Sequence, residues 1–282
     1  MEEVETGSFV REPFPCEWPE TIRLVSWNVN RGYRLTEIIE YLAGSSADLI
    51  LMQETDLNVR RTGHRNIPRE IARALQMNYV FGREFEELGQ GHRGIPAFHG
   101  QTTLSRFPLS HSRILRFRRQ STFWHPRWFI PPLQGLQRRH GARMALVSEV
   151  TIQGRTLVLY NAHLESRGND ELRRDQLSEM LLDAEGNSGM APAIVAGDFN
   201  FDISRGPAAT LIAGTQLDSP FARLGRRNTT RNCRCARGAA IDWILTDTAL
   251  SATGPEIDGS VSASDHYPLT LEVRMNGDGF WD

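Results

Sequence analysis

Six apolar runs in this 282-residue chain end in side chains that can bind metal or phosphate. They are Trp27-Asn28-Val29-Asn30, Gln53-Glu54-Thr55-Asp56, Asn161-Ala162-His163, Gly197-Asp198-Phe199-Asn200, Ile241-Asp242 and Ser264-Asp265-His266. A single Asp or Asn after a strand is ordinarily a turn residue. Six such endings, spread from Trp27 to His266, are hard to assign to turns alone. If the strands belong to sheets packed face to face, their ends gather along one edge. That edge would collect Glu, Asp, Asn and His together, an inventory suited to phosphoryl chemistry. A carboxylate approaches an anionic phosphodiester only with a cation between them. Mg²⁺ takes hard oxygen ligands, often one or two carboxylates, and keeps several waters. It neutralises the phosphoryl and leaving oxygens. Water then needs a positioned base, and Asn or a His near its pKa can stabilise the pentavalent transition state. The expectation is a Mg²⁺-dependent phosphoesterase, with Mn²⁺ able to substitute.

Competing chemistries have weaker anchors. Asp198-Phe199-Asn200-Phe201-Asp202 opens like a calcium-binding EF-hand loop but has Ile203 where that loop requires Gly and Ala209 where it requires Glu. Its alternation fits a strand better, with the polar residues on one face and both Phe in the core. Cys233 and Cys235 are closer than the usual zinc spacing, and with Cys16 they read as reduced thiols. His64, His92, His99, His111, His125 and His140 read most simply as surface or loop residues. There is no Gly-x-Ser-x-Gly elbow and no phosphate-binding loop of the Gly-x-x-x-x-Gly-Lys type.

The elements that must position these residues alternate along the chain. Strands are expected over Thr21–Trp27, Asp48–Gln53, Gln101–Ser105, Arg143–Ile152, Thr156–Ala162, Ala193–Ala196, Ile241–Thr246 and Leu269–Arg274. Helices are expected over Leu35–Leu42, Pro68–Leu75 and Asp170–Glu185, the last with Leu177, Met180 and Leu181 at helical spacing. Strands outnumber helices, which points to two packed sheets flanked by helices rather than a doubly wound parallel sheet. Residues 1–20 read as a flexible N-terminal segment, 21–274 as one domain and 275–282 as a tail. No apolar run approaches the roughly 18 residues of a membrane span, and the N-terminus has no apolar signal core. A cytoplasmic monomer is the expectation.

Charge is distributed unevenly. All 32 basic residues are Arg, which codon bias explains simply. Leu88 to Ser148 nevertheless holds ten Arg and no acid, and Arg223 to Arg237 holds six Arg and no acid, within a chain of net charge −2. Basic stretches in a near-neutral chain suggest a polyanionic partner.

Taken in order, SWNVN, LILMQET, GQTTLSRFPL, NAHLES, AGDFN, IDWIL and SDHYPL resemble the endonuclease/exonuclease/phosphatase superfamily over roughly residues 21–274. The resemblance implies a four-layered α/β sandwich of mixed and antiparallel sheets with its site at one edge. It implies Asn28, Glu54 and Asp265 at the metal, with Glu54 the main ligand. It implies Asp198 handling the attacking water, Asn200 and His163 on the phosphate, His266 on the scissile phosphate and Asp242 fixing the tautomer of His266. A carboxylate on one ring nitrogen sets which nitrogen faces the substrate. Asn30 departs from the pattern, because apurinic-site endonucleases carry Asp there; any second-metal contribution at that position is weakened. The HLES run, with Arg174 and Gln176 downstream, looks closer to the tyrosyl-DNA phosphodiesterase and sphingomyelinase branches but is common across the superfamily. A degenerate binding module on the same fold is the non-enzymatic alternative, and the intact set of site residues argues against it.

The loops must select the substrate. Arg113–Arg143 reads as an insertion carrying eight Arg and the aromatics Phe117, Phe123, Trp124, Trp128 and Phe129. Arg on phosphates with rings stacked on bases is how single-stranded nucleic acid is held. The same composition suits a membrane-lipid interface, or a loop folded over the core with its Arg solvated. Nucleic acid, single-stranded or irregular, is the expected substrate, with a phospholipid or inositol phosphate as the alternative.

Overall fold

The structure, a computed structural model, describes residues 3–11, 19–124, 139–152, 154–188, 191–225, 227–231 and 238–276. The strands are β1 (Val4–Ser8), β2 (Ile22–Arg31), β3 (Leu49–Leu57), β4 (Asn78–Glu87), β5 (Phe98–Ser105), β6 (Leu109–Arg116), β7 (Arg139–Gly141), β8 (Met144–Ile152), β9 (Arg155–His163), β10 (Ala193–Asp198), β11 (Leu217–Asp218), β12 (Asp242–Asp247), β13 (Leu250–Ile257) and β14 (Leu269–Met275). The α-helices are α1 (Leu35–Gly44), α2 (Ile67–Leu75), α3 (Asp170–Ser188) and α4 (Gly206–Ala213).

Period-two alternation sorts the strand residues into layers. On β2, Leu24 faces the second sheet while Val25, Trp27 and Val29 face the helices; on β3, Leu49 and Leu51 oppose Ile50 and Met52 in the same way. Helix α1 buries Leu35, Ile38 and Leu42 at helical spacing, and α2 buries Ile67, Ile71 and Ala72. The Asn66 side chain caps α2 by accepting from the Arg69 N–H at 3.0 Å, with Pro68 in the first turn. On the far side, α3 and α4 contribute Leu177, Met180, Leu181, Ala208 and Ile212. The result is four layers: α1 and α2, an eight-stranded sheet, a six-stranded sheet, then α3 and α4.

The larger sheet runs β1-β4-β5-β3-β2-β14-β13, with β7 also on β4; the smaller runs β11-β12-β10-β9-β8-β6. Pairing is antiparallel except β2 with β3 and β9 with β10. The alternation on β9, the Leu157, Leu159, Asn161, His163 series, turns from apolar to polar toward its C-terminal end. Asn161 locks the sheets there: it accepts from Gln53 Nε2 at 2.8 Å and donates to the carbonyls of Met52 and Thr102 at 3.1 and 3.0 Å.

Three sequence expectations change. The 1–20 segment contains β1, which pairs with β4 and is fixed by Glu5 accepting from Tyr79 Oη and Asn66 Nδ2. The 113–143 stretch is not wholly an insertion, since Arg113–Arg116 complete β6 and Arg139–Gly141 form β7. Asp198–Asp202 does not continue as a strand: β10 stops at Asp198, and Asn200 turns with φ of 58°, although Phe199 and Phe201 are buried as expected. Of the proposed tail, Met275 belongs to β14, and 277–282 lie outside the described residues, as do Cys16, Cys233, Cys235, His125, Trp128 and Phe129.

Candidate active site

Strand register assembles half of the site. Asp198 at the end of β10 is the register partner of His163 on β9 and of Asp242 on β12. Register partners on adjacent strands share one face about 5 Å apart, so three strand ends deliver His163, Asp198 and Asp242 in a row. Gly197 permits the close approach: a Cβ there would lie 1.9 Å from the Ala162 carbonyl oxygen. The larger sheet supplies the other half, through Asn28 on β2, Glu54 on β3 and the segment before β14 that carries Asp265 and His266. The two halves meet where Asn28 Nδ2 donates to Asp198 Oδ2 at 3.0 Å.

Asp198 is contacted from both sheets. Its Oδ1 accepts from the Asn200 N–H at 2.9 Å, and its Oδ2 lies 3.5 Å from His163 Nε2 and 3.8 Å from His266 Nε2. Burial, then the neighbouring Asp242, push its pKa well above the usual carboxylate range. His266 Nδ1 donates to both Asp242 oxygens, at 3.0 and 2.9 Å. Burial opposes its charge, but Asp242 and Asp198 outweigh that cost and raise the imidazole to about 10. His266 is therefore a cation across the neutral range, not a His near its pKa. Asp198, Asp242 and His266 offer ligand atoms within 4.8 Å of one another. Asp242 takes up Nδ1 of His266, which leaves Nε2 on the side of Asp198.

Glu54 sits where the β3 ladder breaks. Register slips occur between Asn28 and Arg31 and between Met52 and Thr55, and Glu54 has φ of 56°. Such bulges re-aim a side chain. Burial favours its neutral form, but His99, Arg31, Arg139 and His266 hold it down at about 2. Its oxygens accept no hydrogen bond among the described residues. An ionised carboxylate with no hydrogen bond among the described residues fits a hard divalent cation. Asp265 is exposed; its carboxylate accepts from Ser264 Oγ at 3.3 Å. Asn200 donates to the Leu164 carbonyl at 3.1 Å, from the loop that follows His163. Burial keeps the His163 imidazole neutral, well below its ordinary pKa.

Several site residues lacked a sequence signal. Thr229 Oγ donates to Asp242 Oδ2 at 2.6 Å and accepts from the N–H groups of Ile241 and Asp242 at 3.0 Å each. Ser264 Oγ donates to the Asn28 carbonyl at 2.7 Å and accepts from the His266 N–H, tying β2 to the SDH turn. Arg31, with φ of 67°, contributes positive charge that favours the ionised form of Glu54. His99, read as a surface residue, is buried and bonded through Nδ1 to Asp56 at 2.8 Å. Behind Glu54 lies a web of buried charge: Arg61 binds Asp56 and Glu87, Arg139 pairs with Glu87 at 2.7 Å, and Arg143 pairs with Glu84 at 2.9 Å. Burial lifts Glu84 to about 7 even against Arg143. Arg139 and Arg143 thus serve the site's foundation, not a substrate loop.

The aromatics of 113–143 are similarly divided. Phe117 is in the core. Trp124 donates Nε1 to both Glu165 oxygens at 2.9 and 3.0 Å, its ring 5.2 Å from Phe85 and beneath the guanidiniums of Arg139 and Arg143. Phe123 is exposed.

This architecture recurs in solved structures. A D. rerio TDP2 humanized by 14 mutations matches with TM-score 0.65 at 20% identity, covering 91% of this chain and 100% of that one. An endonuclease/exonuclease/phosphatase from Beutenbergia cavernae matches at TM-score 0.64 and 16% identity, covering 92% and 72%. ANGEL2, a 2′,3′-cyclic phosphatase solved with adenosine-2′,3′-vanadate, matches at TM-score 0.65 and 14% identity, covering 98% and 99%. At these identities the likeness is one of fold. No curated protein sequence matches significantly. The sequence itself matches the family model described as "Endonuclease/Exonuclease/phosphatase family" over residues 25–266, which takes in all six strand endings. The chain belongs to the endonuclease/exonuclease/phosphatase family and is a metal-dependent phosphoester hydrolase of that family.

Proposed function

We propose that this hydrolase cleaves phosphodiester bonds in nucleic acid, single-stranded or irregular, with Mg²⁺ or Mn²⁺. The observation that carries the reading is the basic rim on the machinery itself. Arg227 and Arg231, both exposed, lie on either side of Thr229, whose hydroxyl binds Asp242. Arg231 also donates its N–H to the Asp265 carbonyl at 2.9 Å, fixing this basic segment to the turn that bears His266. Cations placed there suit the phosphates that flank a scissile bond in an extended polyanion. D. rerio TDP2, solved with a single-strand DNA product, shares the fold at TM-score 0.63 and supports the reading.

Glu54, Asn28 and Asp265 would hold the metal, which when bound supplies charge neutralisation at the phosphoryl and leaving oxygens. The remaining roles fall to this chain. Asp198, oriented by Asn28 and the Asn200 N–H, accepts the proton of the attacking water. His266, held by Asp242, keeps a proton on Nε2 to bind a phosphoryl oxygen. Neutral His163 and the amide of Asn200 complete the donors around the transition state.

The test is a turnover panel at fixed salt comparing single- and double-stranded DNA, RNA, 5′-tyrosyl DNA, sphingomyelin and phosphoinositides. Cleavage of a nucleic acid, abolished by EDTA and weakened steeply by salt, is expected. Turnover of a lipid or phosphoinositide with every nucleic acid ignored would overturn the proposal.

A further inference from the structure

Among the described residues, two aromatic side chains are exposed: Tyr33 at 50% and Phe123 at 55%. Both are paired with an Arg. Tyr33 follows β2 and has the Arg31 guanidinium 5.7 Å from its ring centre. Arg34, the residue after Tyr33, is tied by a 2.8 Å bond to the Ser262 carbonyl, just before the SDH turn. Phe123 has the Arg167 guanidinium 5.0 Å from its centre. It stands edge-on to Trp124 at 4.8 Å, and Trp124 is bound to Glu165, two residues beyond His163. Glu165 also accepts from the Arg167 N–H at 2.7 Å, so one carboxylate fixes both members of the pair.

Strand order separates the two rings. Tyr33 lies by β2 and β14, whereas the Phe123–Trp124 unit leans on Phe85 of β4. Between β4 and β2 come β5 and β3, and Glu54 is on β3. Three strand spacings amount to roughly 14 Å, wider than one base. Glu54 therefore lies between the two rings in the strand order.

On the reading of the substrate as nucleic acid, we infer that Tyr33–Arg31 and Phe123–Arg167 are two base-stacking subsites, one on each side of the scissile phosphate. Each offers a π-face for a base and a guanidinium for the adjoining phosphate. An enzyme that grips bases on both sides cuts internal bonds, so the activity is endonucleolytic on unpaired strands.

Two measurements test this. The first is metal-free binding, by fluorescence anisotropy, of a labelled single-stranded oligonucleotide and of an abasic strand of equal length. Tyr33→Leu and Phe123→Leu should each weaken binding of the base-bearing strand about tenfold, within the range for one base–ring stack. Tyr33→Phe should retain it, and abasic binding should not change in any variant. The second is incubation of circular single-stranded DNA and RNA with Mg²⁺, where conversion to linear product is expected. If wild type binds and cleaves linear strands but the Leu variants bind normally, or circles survive intact, the two-sided grip is wrong while the nucleic-acid reading stands. If wild type neither binds nor cleaves any strand, both fall.

Discussion

Asp198 and His266 face each other across 3.8 Å, one a carboxylate raised by burial, the other an imidazole raised by two carboxylates. Asp198→Asn and His266→Ala should each reduce kcat at least ~10²-fold, measured on the substrate found by the panel, with circular dichroism unchanged. The Thr229 hydroxyl serves Asp242 and two N–H groups at once, so Thr229→Val removes one of the hydrogen bonds to Asp242 Oδ2 and the acceptor of two backbone N–H groups. A loss of about 1–3 kcal/mol in urea denaturation is expected. His266 also makes stability depend on pH. Its folded pKa of about 10 exceeds its ordinary 6.5, so its contribution is complete below pH 6.5 and disappears as pH climbs through about 10. Thermal melts from pH 6 to pH 10 should show that alkaline loss, and Asp242→Asn should flatten it. Residue identities in the motifs were legible because the chemistry-bearing side chains stand at the ends of apolar strands, as Asp198 and His163 do, or at or just ahead of their starts, as Asp242 and His266 do. Thr229 was not, because nothing in TTR marks a hydroxyl that will cap a carboxylate thirteen positions on.

Elements deliver these residues through register. Gly197→Ala would place a Cβ against the Ala162 carbonyl and force β9 and β10 apart. A loss of at least about 2 kcal/mol, with activity falling alongside, is expected from such backbone strain. Trp124 is half-buried and anchors Glu165. Trp124→Ala should therefore lower turnover as well as binding, in contrast to a ring that only stacks. The long apolar strands and α1 to α3 could be read from alternation and helical spacing. Strand β4 could not: Glu84 and Glu87 break its pattern and look solvated, yet both are buried against Arg143 and Arg139 from some fifty residues downstream. Strand β1 escaped notice for the same reason, since Glu5 is fixed by Tyr79 and Asn66, partners that no local pattern reveals.

At the scale of the molecule, the charge web behind Glu54 is a structural liability balanced by pairing. Arg143→Met would leave Glu84 buried without its cation. A destabilisation of about 3–5 kcal/mol is expected, and Glu84→Gln in the same chain should recover part of it, both read by urea denaturation.

The working edge is split between sheets and also between the ends of the sequence. Asn28 on β2 depends on Ser264, and β14 completes the sheet beside β2. During synthesis, the ribosome must therefore release almost everything described before any catalytic geometry exists. Catalytic competence therefore waits on long-range closure between β2 and the segment that leads into β14.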